Sequence, residues 1–179
     1  MEYKSLYNSS LGTIILTRDG KYLTVLWFTS SRFSHLREVQ EEDINDELEI
    51  FKKTKKWLDE YFKGNKPNPN DISMKLNGTD FSKEVWEILK TIPYGKVITY
   101  GDIAKILENK LKVKKMSSQA VGHAVGYNPI SIIIPCHRVV GAHGNLTGYG
   151  GGLDVKIGLL KIEQVNMDNF YKPKKGNAL

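Results

Sequence analysis

Cys136, the single cysteine of the chain, stands in the run Ile132-Ile133-Ile134-Pro135-Cys136-His137-Arg138-Val139-Val140. A thiol, an imidazole and a guanidinium side by side suggest nucleophilic chemistry. Basic or cationic neighbours hold sulfur as the thiolate, the form that attacks carbon. A packing cysteine beside a surface histidine is the alternative. The Ile132–Ile134 run reads as a strand, in which successive side chains face opposite ways. Contact between Cys136 and His137 would then need a bridging water or a local turn. A cysteine hydrolase would use the same pair but would also require an oxyanion hole and repeated turnover.

Pro135-Cys136-His137-Arg138-Val139 resembles the active-site pentapeptide of the O6-alkylguanine-DNA alkyltransferase family. Further motifs extend the likeness in order along the chain: Phe81 to Trp86, Ile92 to Tyr100, Gly126 to Ile130, and Thr147 to Leu153 with Lys156, Leu159, Leu160 and Glu163. It is specific from Gly78 to Glu163 and general before that.

The resemblance implies one irreversible alkyl transfer per molecule from O6-alkylguanine, and from O4-alkylthymine as a second candidate, in double-stranded DNA to Cys136. It implies no cofactor, no metal and a monomer. A relay of Cys136, water, His137 and Glu163 would activate the thiol. Tyr100 would donate to guanine N3 and help turn the nucleotide out of the duplex. The carbonyls of Cys136 and Val139 would accept the guanine amino group, Tyr149 and Gly150 would border the alkyl pocket, and Asn128 would tie the recognition helix to the active-site segment.

Ser118, Ala120 and Gly122 would face DNA, and Arg138 is grouped with them by position, although its role reads as structural rather than chemical. Gln119 stands where many family members carry an arginine finger. An amide there can fill the gap left by a flipped base but brings no cation. Gly158 is likewise smaller than the residue often found at its position.

These residues need elements to position them. Thr13–Thr17 and Tyr22–Phe28 read as strands joined through Asp19-Gly20, a hairpin signal, and 72–76 could add another strand. Leu48, Phe51, Leu58 and Phe62 share a helical face over 46–62, and the polar, proline-interrupted stretch 64–71 ends that helix. A helix follows Thr79 or Asp80, and a second begins at Thr99, where Thr99-Tyr100-Gly101-Asp102 has a capping-box pattern. Ser117–Gly126 and Leu153–Gln164 supply two more, the last with Leu153, Ile157 and Leu160 inward.

The fold class is therefore α/β (α+β). A small antiparallel sheet with a helix, ribonuclease-H-like by resemblance, occupies 1–76. A helical, winged helix-turn-helix domain carrying the cysteine occupies 77–168, and a frayed basic tail 169–179. The Ser117–Gly126 helix occupies the recognition position, yet it is too poor in Arg, Asn and Gln to read base edges strongly. Its small residues suit either the minor groove or close helix packing. A winged-helix regulator would need only this half and would show operator preference.

The net charge of +6 favours a polyanionic partner. Lys52, Lys53, Lys55 and Lys56 read as the wet face of a helix, whereas Lys110, Lys112, Lys114 and Lys115 suit phosphate contact beside the recognition helix. No apolar run is long enough for a membrane span and no signal-peptide pattern opens the chain, so a cytoplasmic protein is expected. One cysteine excludes an internal disulfide, and His35, His123, His137 and His143 lack metal-site spacing.

Overall fold

The computed structural model describes residues 3–31 and 43–173. His35 and residues 174–179 of the expected tail lie outside that range. The chain divides at Asn77/Gly78, with Pro129–Ser131 grouped with the first unit.

In the first unit, β1 (Lys4–Ser9), β2 (Gly12–Asp19) and β3 (Tyr22–Phe28) form an antiparallel sheet in the order β1-β2-β3. Asp19 pairs with Tyr22, so the hairpin turns on Gly20 and Lys21, and Gly20 takes the positive φ of 58° that a tight turn needs. Ile14 to Thr17 are all buried, so the middle strand is covered on both faces. Helix α1 (Glu49–Phe62) buries Phe51, Thr54, Trp57, Leu58 and Tyr61. Lys52 and Lys55 turn outward to Glu47 and Asp46, which makes this cluster a solvated helix face.

The segment 72–76 is not a full strand. It makes one bridge, at Met74, with Leu23 N–H donating to Ser73 O and Lys75 N–H to Leu23 O, each at 2.9 Å.

The second unit contains α2 (Asp80–Lys90), β4 (Ile98–Thr99), α3 (Tyr100–Leu111), α4 (Ser118–Gly126), β5 (Val139–Val140) and α5 (Leu153–Ile162). Thr79 caps α2, accepting from Ser82 N–H. Thr99 and Asp102 close the capping box of α3. Trp86, in contact distance of Gly78, donates its indole N–H to Ala124 O at 2.9 Å and so fastens α2 to α4. A Cβ on Gly78 would lie 2.5 Å from that indole.

β4 and β5 pair in parallel, Ile98 with Val139 and Thr99 with Val140, which sets the start of α3 beside the chain leaving the Cys136 turn. Val140, Leu146 and Leu160 form a buried cluster against which Leu153, Ile157, Val165, Met167 and Phe170 pack. Burying a side chain of this size contributes about 1.5–3 kcal/mol. The start of the expected tail is therefore not frayed: Tyr171 N–H donates to Gly144 O and Leu146 N–H to Tyr171 O, each at 3.0 Å.

Candidate active site

The apolar run before Cys136 is not the strand its composition suggests. Ile132 has φ of 70°, a left-handed conformation that costs a β-branched residue about 1–3 kcal/mol, and the chain turns there with Ile132, Ile133 and Ile134 all buried. Pro135 (φ −82°, ψ 65°) then centres an inverse γ-turn, with Cys136 N–H donating to Ile134 O at 2.8 Å. Asn128 Nδ2 donates to the same Ile134 carbonyl at 2.7 Å, tying the segment after α4 to the turn that presents the cysteine.

Cys136, His137 and Arg138 form one turn of 3-10 helix, and all three are buried. Successive side chains fan out by about 120° in such a turn, so the opposed facing of an extended strand does not apply.

Glu163, at the C-terminal end of α5, organises the turn. Its Oε1 lies 2.7 Å from His137 Nε2. Arg138 donates Nε to Oε2 at 2.8 Å and Nη2 to Oε1 at 2.9 Å, while Nη1 donates to Ile92 O at 2.6 Å. Gly95 N–H donates to Oε2 at 3.0 Å. Gly95 itself has φ of 75°, and a Cβ there would lie 2.9 Å from Glu163 O, so a side chain would displace the carboxylate's own backbone. Burial raises the Glu163 pKa, but hydrogen bonds and charge from His137 and Arg138 outweigh it and hold the carboxyl well below the usual range. Burial pushes the His137 pKa down, and the hydrogen bond and charge of Glu163 recover only part of that loss. The imidazole is thus neutral beside an ionised carboxylate whose counter-charge is Arg138.

The hydrogen bonds of Arg138, which was grouped by position with the DNA-facing residues, run inward to Glu163 and Ile92. Its guanidinium donates to a buried carboxylate and to the carbonyl of Ile92, the structural role its sequence context suggests.

Tyr100, the first residue of α3, is buried, and its hydroxyl donates to Gly148 O at 3.1 Å. Burial and then the charge of Cys136 raise its pKa, so it keeps its proton and can donate it. Lys156 is fully buried on α5. Its Nζ donates to Val139 O at 2.6 Å and Thr147 O at 3.1 Å, and burial lowers its pKa to about 8. It thus anchors Thr147 on the loop that Tyr100 also holds. Tyr149 and Gly150 lie half-buried on that loop. The carbonyls expected to receive a guanine amino group already accept one bond each, Cys136 O from Val139 N–H and Val139 O from Lys156, which leaves each a second lone pair.

A family model described as 6-O-methylguanine DNA methyltransferase, DNA binding domain, matches residues 80–165, and one described as the ribonuclease-like domain of the same protein matches residues 2–76. The chain belongs to the 6-O-methylguanine DNA methyltransferase family. It is 42% identical over 161 residues to the methylated-DNA–protein-cysteine methyltransferase of Methanosarcina acetivorans, covering 90% of this chain and 97% of that protein. It is 37% identical over 163 residues to the Haemophilus influenzae protein of the same name, covering 91% and 87%. The crystal structure of Mycobacterium tuberculosis OGT in complex with DNA is similar with a TM-score of 0.72 and 36% identity, covering 90% of this chain and 92% of that one.

In this methyltransferase chain, Ser118 and Gln119 are exposed on α4, Ala120 is half-buried, and Gly122 is buried, so Gly122 serves helix packing rather than an outer face. Lys112, Lys114 and Lys115 are exposed before α4, whereas Lys110 is paired with Glu84. Sequence reasoning treated Lys156 only as part of a motif. The signal for its burial was its place on the stripe of Leu153, Ile157 and Leu160, which a lysine ordinarily interrupts. Among the described residues, no group of three or more His, Cys, Asp or Glu side chains could hold a metal ion, and no helix is long and apolar enough to cross a membrane.

Proposed function

We propose that this protein repairs alkylated double-stranded DNA by moving the alkyl group of O6-alkylguanine onto Sγ of Cys136, once per molecule. The sulfur–carbon bond forms as the carbon–O6 bond breaks, leaving a thioether and guanine. The thiol proton passes through a water to Nδ1 of His137, whose Nε2 faces Glu163. Tyr100 donates a hydrogen bond to N3 of the departing guanine, and the proton given up by the thiol neutralises the guanine anion, leaving Tyr100 and His137 as they began. The nucleotide must leave the stack to reach a buried thiol, at a cost of a few kcal/mol. Gln119, exposed on α4, would fill the space it leaves, and Lys112, Lys114 and Lys115 would contact phosphates.

The observation that carries this reading is the buried Cys136–His137 turn held by a single ionised carboxylate, within a chain whose relatives bear the methyltransferase name. The protein acts as a monomer in the cytoplasm, since a thiolate that must remain unoxidised needs a reducing compartment. O4-alkylthymine is a second substrate, as it offers the same alkyl–oxygen bond.

Intact mass after incubation with O6-methylguanine duplex DNA should rise by one methyl group, located on Cys136. Cys136→Ser should abolish the gain with DNA affinity nearly unchanged. A methyl on any other residue would refute the assignment.

A further inference from the structure

The carboxylate of Glu163 is shared between two basic side chains that are neighbours in sequence. Arg138 takes both oxygens, and His137 takes one of the same two. Nη1 of Arg138 is anchored separately on Ile92 O, so the guanidinium is fixed at three of its nitrogens and cannot drift from the carboxylate. Rigid bidentate geometry of this kind aims a carboxylate in a way a lysine cannot reproduce.

We propose that Arg138 is a positioning residue for the transfer: it fixes Glu163 against Nε2 of His137 and offsets the carboxylate charge that draws the ring toward the imidazolium, so that a neutral His137 can receive the thiol proton. This rests on the functional reading above.

The charged groups that face His137 support it. Glu163 favours the imidazolium, while Arg138 and Lys156 both oppose it, and burial opposes it most. A buried carboxylate draws its histidine toward the imidazolium, which accepts no further proton, and a cation on the same carboxylate works against that pull. Arg138 converts that pair into a triad in which the salt bridge is Arg138–Glu163 and the imidazole is a neutral hydrogen-bond partner.

Two measurements test this. The first is the NMR titration of His137 in the unmodified protein, which does not depend on any transfer. The ring should be neutral at pH 7 and protonate below the ordinary histidine range; an imidazolium at pH 7 would overturn the proposal. The second is the single-turnover rate of methyl transfer from O6-methylguanine duplex across pH for the natural protein, Arg138→Lys and Arg138→Gln. The acid limb of the rate should move to higher pH by about one unit in the glutamine variant, so that the rate is about tenfold lower at pH values on that limb and falls less at pH 7, and by less in the lysine variant. A slower rate with the acid limb unmoved would reduce Arg138 to a packing role and refute the inference. Should Arg138→Gln not fold, the histidine titrations of the natural protein and of Arg138→Lys decide the matter. Absence of transfer by the natural protein would instead break the functional reading and leave the titration result standing.

Discussion

In the first unit the buried polar groups are mostly neutral and serve the architecture. Thr17 and Thr24 join hydroxyls at 2.8 Å between strands, and Thr54 returns its hydroxyl to Ile50 O at 2.7 Å within α1. Among the described residues of the second unit the buried polar groups are the neutral Asn128 and the four ionisable Arg138, Glu163, Lys156 and His137. Desolvating such ions costs several kcal/mol each, and a hydrophobic cluster of equal volume would often be as stable. A fold that retains them beside its single thiol is carrying chemistry there, whereas the threonines of the sheet do no more than satisfy each other. The contrast separates polar burial for structure from polar burial for reaction without reference to any ligand.

The largest expected effect lies in the charged unit. Glu163→Leu leaves Arg138 buried without its counter-ion, so stability should fall by about 3–5 kcal/mol in chemical denaturation, with transfer lost. A loss under about 1 kcal/mol would mean that the guanidinium finds water or another acceptor, and the contrast between the units would weaken.

A smaller effect separates α4 from the site it serves. Gln119→Ala should slow repair of O6-methylguanine in duplex DNA by about tenfold, because a flipped base leaves a gap that alanine cannot fill. Reaction with the free base O6-benzylguanine, where that base fits the pocket, should scarcely change, since it has no stack to leave. Equal slowing of both would show that Gln119 shapes the pocket or the fold.

The smallest effect belongs to the neutral unit. Thr17→Val removes one hydroxyl and strands that of Thr24, which should cost about 1–2 kcal/mol and leave the transfer rate as it was. A change in rate would show that the sheet reaches the chemistry and is more than architecture.

The helices of the second unit were legible because their ends are local. Thr79, Thr99 and Ser117 each cap a helix through hydrogen bonds spanning three residues, and such bonds are written in adjacent sequence. The hairpin was legible for the same reason, since Gly20 supplies the turn it sits in. The Ile132–Ile134 segment misled because β-branched composition speaks for a strand, while the Asn128 amide and the γ-turn at Pro135 impose a reversal. The start of the tail misled in a similar way: its lysines suggested solvent, but Phe170 and Tyr171 are held by contacts with residues some 25 positions earlier.

Sequence by itself determined the nucleophile, the residues on either side of it and the helices that surround it, because these depend on residue type and short-range hydrogen bonding. Only the tertiary structure decided what Arg138 and Lys156 do. A charged side chain in isolation reads as solvated, and nothing local says that one will be buried against a carboxylate 25 residues away or carbonyls 9 and 17 residues away. Burial turns these cations from surface charge into the fixed electrostatics of the site, and burial is a property of the packed chain rather than of any segment of it.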